Sequence, residues 1–160
     1  MTLLVERKES NQKSAQRMIY PSVFNTGGIY FKEEIVVSLW KVGEYVEKFN
    51  ELTKQNLPCG EIFQSSGLIA HVKKRHPKDV HLVSSIPLVI SSPDYVGKNP
   101  KENSSIELVK VLSDNVMVCV KLDDKKGILY VASVYTLSAG KINNRLNSGR
   151  LKKFDIDESK

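Results

Sequence analysis

A chain of 160 residues with 41% hydrophobic side chains is long enough to bury its own core, as one domain or one domain with an appended segment, with no disulfide or metal staple required. It holds no apolar run of the ~18 residues a spanning helix needs, and its N-terminus lacks the apolar centre of a signal peptide, which argues against membrane insertion and secretion and for a soluble, cytoplasmic protein. Twenty-four Lys and Arg against eighteen Asp and Glu leave a charge of +6, which suits a nucleic-acid partner without demanding one.

Residues 1 to about 27 are polar and weakly periodic, and the first seventeen read as an arm or a short helix. Thr26-Gly27-Gly28 is a turn signal. The next stretch, 30–40, is ambiguous: Ile35-Val36-Val37 favours a strand, whereas Lys32-Glu33-Glu34 could begin a helix. Val42, Tyr45, Val46, Phe49 and Leu52 recur at helical spacing and predict an amphipathic helix over 41–55. Pro58-Cys59-Gly60 breaks the chain, and 61–64 is a short segment able to pair as a strand. A helix is then predicted from Ser66 or Gly67, capped by Ser65-Ser66 and stopped by Pro77, with Leu68, Ile69 and Val72 as its buried stripe. Ser84-Ser85-Ile86-Pro87 opens a further short helix to about Ile90. Residues 91–103 read as irregular loop.

From Ser105 the pattern has period two. Ile106 and Leu108 alternate with Glu107, Val109 and Val111; Asp114-Asn115 is a hairpin turn, and 116–122 is a strand apolar on both faces. Cys119 lies in that strand and reads as a buried thiol; with Cys59 far away and no CxxC, the cysteines fit a reducing compartment. After a turn at 123–127, a third strand over 128–136 places Leu129, Val131, Ser133 and Tyr135 on one face and Ile128, Tyr130, Ala132 and Val134 on the other. Ser138 caps a short basic helix that Gly149 ends. Helices followed by an antiparallel meander and a last basic helix make the fold class α+β, with the earlier helices packed on a small sheet.

The chemistry gathers at 67–77, where His71 and His76 flank Lys73, Lys74 and Arg75. Lys74 and Arg75 share a helix face with His71, whereas His76 joins it only if the last turn unwinds before Pro77. Metal-free RNA cleavage needs a base for the ribose 2′-hydroxyl, an acid for the leaving 5′-oxygen, and donors on the phosphate. Two histidines with Lys74 and Arg75 supply that set, and Ser133 and Tyr135 on one strand face can add to it. The competing reading is a basic helix whose surface histidines only help to hold an anion. His71 and His76 with Cys59 or His81 do not match a compact zinc spacing, and no acidic cluster suits a hard metal, so no metal or cofactor is expected. No Gly-x-Ser-x-Gly motif and no phosphate-cradling glycine loop are present. From Lys141 to Lys153 five cations (Lys141, Arg145, Arg150, Lys152 and Lys153) occur with no acid between them, as a solvated face or a phosphate-binding one.

Together, His71-Val72-Lys73-Lys74-Arg75-His76-Pro77, Ser85-Ile86-Pro87-Leu88-Val89-Ile90, Pro93-Asp94-Tyr95-Val96-Gly97 and the strand Leu129 to Tyr135 resemble the phage and mobile-element nucleases of the barnase–EndoU–colicin–RelE-like group. The similarity covers about 67–154, with a vaguer match back to Val42. It implies an N-terminal extension over 1–40, a nuclease domain over 41–154 and a tail over 155–160. It further implies a metal-independent RNA-cleaving site between the helix histidines and the sheet. His71 and His76 would be the acid and base, Arg75 a phosphate ligand, Ser133 and Tyr135 the sheet-borne polar groups, and Lys141 and Arg145 contacts to the RNA backbone. The expected function is thus a toxin-like or prophage-encoded ribonuclease, with an acidic inhibitor or immunity protein as a further partner. The alternative is a non-catalytic module of the same fold that binds nucleic acid or a phage protein through Lys74, Arg75, Lys141, Arg145 and Arg150.

Overall fold

The structure, a computed structural model, describes residues 5–8, 15–26 and 29–155, with side chains from 38 to 155. Its strands are β1 (Val5–Lys8), β2 (Ala15–Thr26), β3 (Ile29–Tyr45), β4 (Gly60–Ser65), β5 (Tyr95–Gly97), β6 (Ser105–Val111), β7 (Asn115–Asp123), β8 (Ile128–Thr136) and β9 (Leu151–Lys153). Its helices are α1 (Glu47–Thr53), α2 (Leu68–Arg75), α3 (Ile86–Ser91) and α4 (Ala139–Asn147), with a 3-10 segment, Pro77–Ser85, between α2 and α3. The class is α+β. The strands form one sheet in the order β1-β2-β3-β4-β8-β7-β6-β5-β9. Every neighbouring pair is antiparallel except β4 with β8, a parallel pairing confined to Ile62 with Leu129 and Phe63 with Tyr130.

The meander β6-β7-β8 and the terminal helix follow the sequence pattern: β8 spans the expected residues, and the Ser138 hydroxyl caps α4 by accepting from the Lys141 N–H at 3.2 Å. The N-terminal half differs. Where the first residues are described they are strands rather than an arm or a helix, and the ambiguous stretch belongs to the long strand β3. The expected helix over 41–55 shrinks to the seven residues of α1. Its helical spacing has another origin, a β-bulge. Lys41 pairs with Phe63 and Gly43 with Ile62, so Val42 is an extra residue. That insertion lets Val42 and Tyr45, three apart, face the same core. Residues 95–97, read as loop, pair as β5 with both β6 and β9.

Among the described residues, two apolar layers cover the two faces of the sheet from β4 to β6, beside a small cluster of Leu39, Phe63 and Ile128. One, built from Ile62, Leu108, Val118, Val120, Leu129, Val131 and Val134, takes Phe49 of α1, Leu68 and Val72 of α2, Leu82, and Val89 and Ile90 of α3. Val109 and Met117, from the opposite face, pack with Leu137, Ile142 of α4 and Leu151 of β9. At the turn out of α1, the buried Asn50 replaces absent backbone partners: its Oδ1 accepts from the Tyr45 hydroxyl at 2.8 Å and the Leu57 N–H at 3.0 Å, and its Nδ2 donates to the Leu57 carbonyl at 2.8 Å.

Candidate active site

After Ser65 the chain leaves the sheet and coils into α2, so β8 beyond Tyr130 has no strand partner on that side. Helix α2 and the 3-10 segment pack beside it instead. Leu68 and Val72, four apart, turn into the core, while Ile69, expected in the buried stripe, is 42% exposed because it sits about 100° round the helix. The expected serine cap is also absent: Gly67 occupies the N-cap with no side-chain bond, and the Ser66 hydroxyl accepts from the Ser38 N–H at 3.3 Å.

The end of α2 meets the condition set by the sequence. The helix stops at Arg75, and His76 leaves it with φ −139° and ψ 63°. Released from the helical phase, His76 lines the same cleft as His71 and Arg75. Its ring stacks on Tyr135 of β8, with centroids 4.5 Å apart and planes 19° from parallel.

The cleft, about 650 Å³ in volume, is floored by two cross-strand rows and by Tyr135 at the end of a third. Ladder pairing sets Ser105 opposite Lys121 and Lys121 opposite Tyr130; then Glu107, Cys119 and Ser133; then Val109, Met117 and Tyr135. Asn99 and Glu102 also line the cleft, and Glu102 holds the Lys121 ammonium at 3.0 Å. A second bulge makes this floor. Cys119 pairs with Ser133 but Val120 with Val131, leaving Ala132 unpaired. Strict alternation would have set Ser133 and Tyr135 on the face of Leu129 and Val131. The extra residue moves them to the opposite face, while Val134 joins the core with Leu129 and Val131.

Among the described residues, Ser133 Oγ is a buried side-chain oxygen with no hydrogen-bond partner. An unsatisfied hydroxyl on a cleft floor is costly unless a ligand completes it. Beside it lies Glu107, 2% exposed, which sequence reading missed because it was one polar position in an alternating strand. Its carboxylate accepts from Arg150 Nε at 3.0 Å and Nη2 at 2.5 Å, and from Arg145 Nη1 at 3.4 Å. One negative charge thus orders two guanidinium groups and leaves one positive charge in excess. Arg145 and Arg150, expected to contact nucleic acid, are therefore held by a carboxylate. Lys74 and Lys141 are exposed and lie outside the cleft lining. Burial pushes the Cys119 thiol up to about 11, with the Glu107 charge adding to it. Burial likewise pushes the Tyr135 phenol up to about 12, helped by Cys119 and Glu107. Both groups stay protonated near neutrality.

Among the described residues, no three His, Cys, Asp or Glu side chains are grouped to hold a metal, and no helix is long and apolar enough to cross a membrane. A family model described as phage-Barnase-EndoU-ColicinE5/D-RelE like nuclease matches residues 40–144, which include α2, the meander and most of α4. No curated protein and no solved structure matches the chain.

Proposed function

Because the chain belongs to the phage-Barnase-EndoU-ColicinE5/D-RelE like nuclease family, we propose that its cleft cleaves RNA without a metal, by attack of a ribose 2′-hydroxyl on the adjacent phosphate. One observation carries the reading: His71, His76 and Arg75 line one cleft with the partnerless hydroxyl of Ser133. One histidine takes the 2′-hydroxyl proton as the 2′-oxygen bonds to phosphorus. The other gives a proton to the 5′-oxygen as the P–O5′ bond breaks. The products are a 2′,3′-cyclic phosphate and a 5′-hydroxyl. Arg75 offsets charge on the phosphoryl oxygens, and Ser133 Oγ donates to one of them. Tyr135 holds the His76 ring in place. Arg145 and Arg150 supply the remaining positive potential, and Lys74 and Lys141 hold the flanking RNA backbone from outside the cleft.

Such an activity, from a prophage or other mobile element, acts as a toxin toward the cell that makes it and calls for an inhibitor. Exposed Lys73 and Lys74, next in the chain to Arg75 of the cleft lining, favour an acidic one. Incubation with labelled RNA in EDTA, beside His71→Ala and His76→Ala, tests the proposal. Expected is cleavage ending in cyclic phosphate, lowered about 10²–10⁴-fold in each variant. Intact RNA in every lane, with binding that weakens as salt rises, moves the reading to a non-catalytic binding module.

A further inference from the structure

Asp79 lies in the 3-10 segment, outside the cleft lining, yet it bonds to the chain on either side of the His76–Tyr135 stack, at His76 and at Thr136. Its N–H donates to the His76 carbonyl at 2.9 Å. Its carboxylate accepts from the next residue after Tyr135: Oδ2 from the Thr136 N–H and Oδ1 from the Thr136 hydroxyl, each at 3.3 Å. The Thr136 N–H points to the side of β8 that β4 has abandoned, so no strand carbonyl is there to receive it. The carboxylate stands in for that missing strand. On the helix side, the His76 N–H is bound to the Val72 carbonyl at 2.7 Å, and Pro77 fixes the chain direction that brings Asp79 back.

We infer that Asp79 is a positioning residue for His76, clamping the histidine's backbone to the strand that carries Tyr135 so that the imidazole is held over the cleft. This rests on the proposed catalytic use of His76, but the clamp itself is readable without catalysis. The half-buried Asp79 and the exposed Thr136 belong to neither apolar layer, so the clamp orders the histidine more than it supports the fold.

The test measures three things on wild type, Asp79→Ala, Thr136→Val and Thr136→Ser: thermal midpoint, single-turnover cleavage with KM, and the ring-current shift that Tyr135 imposes on the His76 ring protons in NMR. Asp79→Ala is expected to lower kcat by about 10–100-fold with KM within about twofold. It is also expected to relax the His76 shift toward that of a free histidine. Thr136→Val, which keeps the backbone bond, falls between, and Thr136→Ser restores wild-type behaviour. Should Asp79→Ala fail to fold, Thr136→Val decides alone by the same readouts. An unchanged ring-current shift in folded Asp79→Ala overturns the inference, as does a kcat loss that only tracks the lost folded fraction. If wild type cleaves no RNA, the shift still decides the clamp, while the catalytic reading of His76 fails separately.

Discussion

His76 lies flat on Tyr135, ring on ring at 4.5 Å, although one residue ends a helix and the other sits within a strand. The contact separates two uses of the tyrosine. Tyr135→Phe keeps the stack and loses the hydroxyl, whereas Tyr135→Ala loses both. The gap between the two variants in kcat is expected to be about twofold to twelvefold, the worth of an aromatic pair at ~0.5–1.5 kcal/mol. Equal rates in the two variants would show that stacking contributes nothing to His76.

Glu107 is a buried charge whose partners come from two segments well after it in sequence. Glu107→Ala strands the Arg145 and Arg150 side chains, which are only 17% and 25% exposed, and is expected to cost about 3 kcal/mol. Glu107→Gln keeps the shape and one acceptor and costs less, about 1–3 kcal/mol. Urea denaturation of the two variants checks the order.

Alkali should weaken the fold through two protons. In the folded chain burial holds Cys119 protonated up to about 11 and Tyr135 up to about 12, above their ordinary 9.0 and 10.0. Above pH 9 the unfolded chain loses these protons first. It then binds fewer protons than the folded one, so stability falls as pH rises. The contribution is complete below pH 9 and is lost progressively as pH passes about 11 and 12. Thermal midpoints are expected to hold level up to about pH 9 and to drop above it, with a smaller drop over the first part of that range in Cys119→Ala.

Two glycines are expected to resist substitution unequally. A Cβ on Gly43 would run into the Ile90 side chain of α3, and one on Gly97 into the Arg150 backbone carbonyl. Gly43→Ala is expected to cost about 1–3 kcal/mol, since a side chain can shift. Gly97→Ala costs more, because the carbonyl belongs to the chain entering β9 and also accepts from the Lys98 N–H at 3.3 Å. Calorimetric midpoints would check the ranking, and equal losses would contradict it.

The meander and α4 were legible because period two and a serine cap are local signals. The N-terminal half was not, because a bulge counterfeits a helix: an inserted residue turns positions three apart to one side, as at Val42 and Tyr45. The bulge at Ala132 likewise hid which face Ser133 and Tyr135 share, although reading them together was sound. His71 and Arg75 could be grouped from helical spacing, whereas His76 joins them only because the last turn unwinds before Pro77, a condition the sequence states but does not decide. Glu107 could not, because its partners Arg145 and Arg150 are about forty residues distant; the one clue was a basic run with no acid to balance it.

The early departure of β4 has a consequence for how copies of this chain meet one another. An uncovered stretch of β8 past Tyr130 would offer bare N–H and C=O groups to any extended peptide, the usual seed of sheet-to-sheet aggregation. Helix α2 lies over that stretch, and the Asp79 carboxylate takes the Thr136 N–H with a negative charge that repels another chain's carbonyls. The segment that brings the histidines to the cleft therefore also acts as a guard against misassembly.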